Sequence, residues 1–248
     1  MKTYIMKVYL GGCSFMENPN IFENNLLLNY IGNNSIIINN AKSGSSNDQI
    51  FRKALFSILK TNFDFVLIGW TQCWRIDKVI EVYEEDNDYK NILLEESLNN
   101  ILSGSKYYTE VVANDKHYNR YCHLEPEGTD FVIMYTIILQ QILKSKNIPH
   151  LFLSMGEVMP YTLNARQGWL PLIDEKYYFG EGTLQQKMSY PLTTHFYNEH
   201  MKIFGENTGI TWTDERGLIR DNANHLSKNG GRVLSEMVLK YIQENKIL

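Results

Sequence analysis

The first 70 residues alternate between short apolar runs and a segment of helical periodicity, and this alternation leaves few folds open. Residues 4–10 are rich in β-branched and aromatic residues and end at Gly11-Gly12. Residues 35–38 are a second such run and 63–68 a third, each closed by Gly, Asn or Asp. Short apolar runs closed in this way suit parallel strands covered on both faces. Between the second and third, Ile50, Phe51, Ala54, Leu55, Ile58 and Leu59 recur at helical spacing, after the capping residues Ser45-Ser46-Asn47-Asp48. Strand, helix, strand within so few residues requires a βαβ crossover.

The pattern returns further along. Phe131, Met134, Tyr135, Ile138 and Ile142 form a helix face, and Ile148-Pro149 leads into a strand at 150–153. A last helix begins near Ser227 and carries Val233, Leu234, Met237, Val238, Tyr241 and Ile242 on one side. Repetition of this unit predicts a doubly wound α/β domain, a parallel sheet between two layers of helices. The 248 residues are read as a single domain over 1–248, interrupted by insertions at about 76–128 and 155–192. Insertions of that length commonly shape or cover a site, and both are expected to rise from the carboxyl edge of the sheet.

Composition narrows the function classes. A net charge of −4 gives no basic face for nucleic acid. Cys13, Cys73 and Cys122 show neither metal-ligand spacing nor an even-numbered disulfide framework. Leu10-Gly11-Gly12-Cys13 has the look of a lipoprotein cleavage site, but Lys7 interrupts the apolar stretch that a leader of that kind needs. No signal peptide is recognised. The longest apolar stretch elsewhere, 131–139, is too short to span a bilayer, so no membrane partner is expected. The expected setting is soluble, either cytoplasmic or virion-associated. Oligomeric state is not readable.

Four segments, in fixed order, carry residue types that together could build one active site. They are Gly12-Cys13-Ser14-Phe15, 40–47 (Asn-Ala-Lys-Ser-Gly-Ser-Ser-Asn), Ile68-Gly69-Trp70-Thr71, and His225-Leu226-Ser227. Acyl transfer needs a nucleophile, a base, and donors for a developing oxyanion. Ser14 follows the first strand, where Gly11 and Gly12 permit a sharp turn and amides at a helix start favour an anion. Taken alone, Ser14 reads more readily as a helix cap. Cys13 is the rival nucleophile, and also reads as a small buried residue. Gly44 offers an unobstructed amide or an ordinary turn. Asn47 is a cap or a polar group reaching substrate. Thr71 offers a hydroxyl donor, Trp70 a wall or core residue, and Arg75 a solvated charge or an anchor for an anionic substrate group. His225 precedes the last helix with Asp221 the nearest carboxylate, and a base needs such an acceptor on its other nitrogen. His150 reads as core or strand start. His195 and His200 are five apart, the wrong spacing for a metal pair on one helix face, and no metal motif occurs.

These ordered segments resemble the SGNH (GDSL-type) hydrolases, in a divergent branch common among bacteriophage and environmental sequences. The resemblance implies a three-layer α/β/α flavodoxin-like domain and a serine esterase that needs no metal or organic cofactor. Gly12-Cys13-Ser14 looks like the family's Gly-Asp-Ser, which makes Ser14 the nucleophile. Gly44 looks like the glycine whose amide joins the Ser14 amide in the oxyanion hole. Thr71 stands where the family has an oxyanion asparagine, after Gly69-Trp70. His225, in a His-x-Ser-x-x-Gly setting with Gly230, resembles the catalytic histidine segment. Three departures stand out. Cys13 replaces the aspartate beside the serine, Thr71 shortens the third donor, and Asn222 occupies the place of the catalytic acid, with Asp221 one residue back. Asp221 is the favoured acid, with Asn222 or a backbone carbonyl as the other ways to orient His225.

The expected substrate is a small-molecule or glycan ester. Tyr107, Tyr108, Trp169, Tyr177 and Tyr178 suggest stacking on a sugar ring, hence an O-deacylase of carbohydrate, although the same aromatics would pack a lid. A binding module that kept the fold, or an acyltransferase using the same residues, are the competing classes.

Overall fold

The computed structural model describes residues 5–17, 35–42, 45–73, 125–156, 158, 168–189 and 228–248, of which 14, 15, 125–127 and 228–233 are described by their backbone alone. Four strands form one parallel sheet among these residues: β1 (Lys7–Gly11), β2 (Ile36–Asn39), β3 (Phe65–Trp70) and β4 (His150–Ser154). Their order is β2-β1-β3-β4. The register aligns Tyr9 with Ile38 on one side and Val66 on the other, and Val66 with His150. Among the described residues five α-helices accompany them: α1 (Ser14–Glu17), α2 (Asn47–Lys60), α3 (Glu125–Ser145), α4 (Leu184–Ser189) and α5 (Lys228–Glu244).

Side-chain alternation sorts the core into two layers. Val8, Leu10, Phe65, Leu67, Leu151 and Leu153 pack with Leu234, Val238 and Ile242 of α5. Tyr9, Val66, Ile68, Trp70 and Phe152 face the other way, onto Ile50, Ala54 and Ile58 of α2 and Val132, Leu139 and Leu143 of α3. Burial on both faces is why these strands read as unbroken apolar runs rather than alternating ones. The expected three-layer α/β/α arrangement is present.

The strand order fixes where a site belongs. From β1 the chain winds outward to β2, then crosses back to β3 and on to β4. Winding therefore reverses between β1 and β3, and loops leaving their carboxyl ends diverge there. Doubly wound sheets bind ligands at that crevice.

Two expectations change on the structure. The buried stripe of α3 is Val132, Ile133, Thr136, Leu139, Gln140 and Leu143, while Phe131 is 39% exposed, so the helix is rotated by about one residue from the face read in the sequence. Its middle is apolar nearly all round, which removes the contrast that periodicity relies on. The polar members of the stripe are satisfied. The Thr136 hydroxyl donates to the Val132 carbonyl, and Gln140 exchanges two bonds with the backbone of Asp174. The second insertion leaves the carboxyl end of β4 through Met155 and Gly156, but its described part does not stay there. It returns along the outer edge of β4, where Tyr178 bridges to Phe152 and Phe179 N–H donates to the Phe152 carbonyl. The first insertion lies almost wholly outside the described residues.

Candidate active site at the winding reversal

The turn from β1 into α1 is built on absent side chains. A Cβ on Gly12 would lie 2.4 Å from Met16 Cγ and 3.0 Å from the Gly69 carbonyl oxygen. One on Gly69 would lie 2.7 Å from the same Met16 Cγ and 2.6 Å from Met155 Cγ. The two glycines thus make a slot for fully buried Met16, which seats α1 against the end of β3. The Cys13 carbonyl accepts the first helical bonds, from the Met16 and Glu17 amides at 2.9 and 3.1 Å. Ser14 opens the helix at this point. Cys13 is 1% exposed and belongs to the apolar cluster of Val8, Leu10 and Met16, so the rival thiol is a core residue.

The exit of β2 is stitched to that turn. Lys42 N–H donates to the Gly12 carbonyl at 3.1 Å, and Asn40 N–H to Leu10 at 2.9 Å. Asn39 Nδ2 donates to the Met16 carbonyl while its Oδ1 accepts from Ala41 N–H. Ser43 and Gly44, next along this loop, lie outside the described residues.

The exit of β3 is held from three sides. Asn47, the first residue of α2, donates Nδ2 to the carbonyls of Thr71 and Gln72 at 3.3 and 2.9 Å. Its Oδ1 accepts Thr71 N–H at 3.0 Å. The helix cap is the preceding Ser46, whose hydroxyl accepts Gln49 N–H. Asn47 is therefore neither cap nor substrate contact but a buried clamp on the strand end. From α3, a Cβ on Gly128 would lie 1.9 Å from the Cys73 carbonyl oxygen. From the exit of β4, a Cβ on Gly156 would lie 2.8 Å from Gln72 N and 2.9 Å from Gln72 Cγ and Cδ. Backbone meets backbone at both glycines, which leaves residues 71–73 little room to shift.

The remaining expected site residues fall as follows. Thr71 is 1% exposed and its hydroxyl donates to Gln72 Oε1 at 2.7 Å. Trp70 is fully buried and stacks on Phe152 with centroids 6.2 Å apart, so it is core and offers no surface to a substrate. Its position as the last residue of β3 puts it on the α2–α3 face. Arg75, Asp221, Asn222 and His225 lie outside the described residues, as do Tyr107 and Tyr108. Tyr178 is fully buried, with its hydroxyl 2.7 Å from that of Ser154, so it presents no ring to a sugar, while half-buried Tyr177 stacks on His150. Trp169 is 48% exposed. Gln72 was not read from the sequence. Its signal was adjacency to the Gly-Trp-Thr segment, with a carboxamide one residue beyond the expected donor.

His150 does not replace His225. It starts β4 in register with Val66, and through Val66 with Tyr9, five residues before Ser14 and two strands away. Two inter-strand spacings combined with the rise over five residues separate the backbones by roughly 15–20 Å, too far for proton transfer between side chains. Among the described residues no group of three His, Cys, Asp or Glu side chains is disposed to hold a metal ion. No described helix is long and apolar enough to cross a membrane.

No family model matches the chain, and no curated protein matches it. Among solved structures, the chain is similar to the acetyl xylan esterase AlAXEase at 15% identity, covering 96% of this chain and 100% of that one, with a TM-score of 0.43. It is also similar to the psychrotrophic esterase EstA from Pseudoalteromonas sp., at 9% identity, 96% and 97% coverage, and a TM-score of 0.41.

Proposed function

We propose that this chain is a serine esterase of the SGNH type. The observation that supports the reading is the seating of α1. The short helix that Ser14 opens is locked onto the end of β3 by Met16 and bonded to the exit of β2, at the reversal of winding where such sheets take ligands.

In the proposed cycle the Ser14 hydroxyl oxygen attacks the ester carbonyl carbon, and the carbonyl π pair moves onto oxygen. His225 takes the hydroxyl proton and returns it to the departing alcohol, leaving an acyl-serine. Water then attacks with its proton passing to His225, and the proton returns to Ser14 as the acid leaves. Asp221 orients the imidazole, with Asn222 as the neighbouring carbonyl able to do the same. The Ser14 and Gly44 amides and a donor from the β3 exit stabilise the tetrahedral oxyanion. Arg75 is the proposed holder of an anionic substrate group. A carbohydrate or glycoconjugate ester remains the proposed substrate class, with Trp169 the exposed ring among the described candidates.

Reaction with a fluorophosphonate, located by peptide mass spectrometry, tests the nucleophile. The expected result is a single adduct on Ser14, with p-nitrophenyl acetate hydrolysis lost in Ser14→Ala and kept in Cys13→Ala. Hydrolysis surviving in Ser14→Ala, or a parent that neither labels nor hydrolyses, overturns the reading in favour of a binding module.

A further inference from the structure

The two residues that leave β3 divide their labour unequally. Thr71 is the member that stands where the resemblance calls for an oxyanion donor, yet it is buried, and its hydroxyl proton is committed to Gln72 Oε1 at 2.7 Å. Its amide proton is committed to Asn47. Gln72 is the more exposed of the pair. Its carbonyl is held by Asn47 Nδ2 and its side chain lies against the bare backbone of Gly156. With Oε1 accepting from Thr71, the amide is fixed with Nε2 as its free end, and no group among the described residues accepts from that nitrogen. Pre-oriented donors with no internal partner are what an oxyanion hole requires, because they need no reorganisation when charge develops.

We propose that the Gln72 carboxamide is the third oxyanion donor, and that Thr71 and Asn47 are positioning residues that aim it. The proposal rests on the esterase reading above and deepens it. The one-residue shift from the family position is met by a longer side chain, and the hydroxyl left at position 71 sets which end of the amide faces the reacting carbonyl. Nothing covalent changes in the cycle; the Nε2 hydrogens strengthen their bond to the carbonyl oxygen as it becomes an alkoxide.

The test compares Gln72→Leu, Gln72→Glu, Thr71→Val and the double variant Thr71→Val/Gln72→Leu, using p-nitrophenyl acetate turnover and the rate of Ser14 labelling by a fluorophosphonate. Loss of the donor is expected to lower kcat by roughly 100-fold in both Gln72 variants with KM little changed. Gln72→Glu keeps the acceptor for Thr71 but replaces the N–H groups with a carboxylate whose charge opposes the oxyanion, so it is expected to cost at least as much as Gln72→Leu. Thr71→Val is expected to cost about tenfold, with the double variant no slower than Gln72→Leu, since a positioning group is worthless without the group it aims. Circular dichroism and melting temperature show whether each variant is folded. A folded Gln72→Leu with undiminished kcat and labelling overturns the inference while Ser14 still labels, which leaves the esterase reading intact. A Thr71→Val slower than Gln72→Leu also overturns it, by making the hydroxyl the direct donor. Failure of the parent itself to label at Ser14 removes both readings together.

Discussion

At the carboxyl ends of β1 and β3 a set of backbone and amide groups answer one another, Asn47 with Thr71 and Gln72, Lys42 with Gly12, Asn39 with Met16, while the buried Trp70 indole N–H has no partner among the described residues. At the amino end of β4 the arrangement is different. His150 is 1% exposed, its Nδ1 bonds the Ile148 carbonyl at 2.8 Å, and it stacks on Tyr177 with centroids 4.3 Å apart. Its Nε2 has no partner among the described residues. Burial pushes its pKa down to about 4. A buried histidine with so displaced a titration invites a functional reading, because active sites do concentrate shifted groups. The fold argues the other way. His150 sits under the insertion at the amino end, where no reversal of winding lies and no nucleophile among the described residues accompanies it. The difference separates burial that stabilises from burial that positions, and it predicts that changes at one end cost stability while changes at the other cost activity.

The most damaging single change is expected at Gly128, where the two costs coincide. Alanine there gains about 1 kcal/mol of helix propensity. Its Cβ, however, would lie 1.9 Å from the Cys73 carbonyl oxygen, and two main chains must move apart. The overlap outweighs the propensity, with a net loss of about 3 kcal/mol in urea unfolding and a displaced β3 exit that depresses ester hydrolysis. A Gly128→Ala protein as stable and active as the parent would remove α3 from the support of the site.

His150 gives the sharpest contrast. Its folded pKa of about 4 lies below the ordinary 6.5, so the unfolded chain binds a proton that the folded chain refuses. Stability is fully present above pH 6.5 and falls as the pH drops from 6.5 toward 4, by about 3 kcal/mol from this group. His150→Phe should flatten that part of the parent's stability profile, measured by urea unfolding at stepped pH. Hydrolysis at neutral pH should stay within about twofold, since the ring is structural. Parallel profiles for parent and variant would break the assignment, and loss of neutral activity would break the comparison itself.

Asn47→Asp probes the opposite end. The carboxylate keeps an acceptor for Thr71 N–H but loses the two donors and sets a negative charge against the Thr71 and Gln72 carbonyls. Stability should fall by about 2 kcal/mol. Activity should fall by roughly 100-fold, because the donors beyond the clamp are no longer aimed. Comparing kcat with the unfolding midpoint separates the two. A variant equally stable but inactive would show a direct catalytic contact, and one less stable but fully active would make the clamp merely structural.

How much of this was legible beforehand follows from the range of each interaction. The strands and their parallel pairing were readable, since apolar β-branched runs with glycine stops are local signals. So was the Ser46 region as a cap, which depends on three residues. The face of α3 was not, because a helix apolar around most of its circumference carries no phase. Asn47 was misread as a cap or substrate contact because its partners are 24 and 25 residues away and belong to another element. Trp70 reads as wall or core from the sequence, and strand alternation decides for core by sending it to the α2–α3 layer. Thr71 occupies the expected motif position, but which of two adjacent side chains offers a free donor depends on a hydrogen bond between them. Motif spacing finds the loop; it does not choose the atom.

The smallest expected effect lies farthest from the proposed chemistry, in the ion pair between Lys144 at the end of α3 and Asp174 at 2.8 Å. Burial raises the Asp174 carboxyl, and the Lys144 hydrogen bond and charge more than offset it, so its pKa lies below the ordinary value. The pair is more than a third exposed on both sides, which hands most of that attraction back to solvent. A double-mutant cycle on Lys144→Ala and Asp174→Ala should give a coupling of only about 0.5 kcal/mol, shrinking further in 1 M salt. Ester hydrolysis should be unchanged in every corner of the cycle. If instead kcat tracks the coupling, the outer edge of β4 communicates with the winding reversal through Gln140 and α3. The two ends of the sheet would then be one cooperative unit rather than a scaffold and a site.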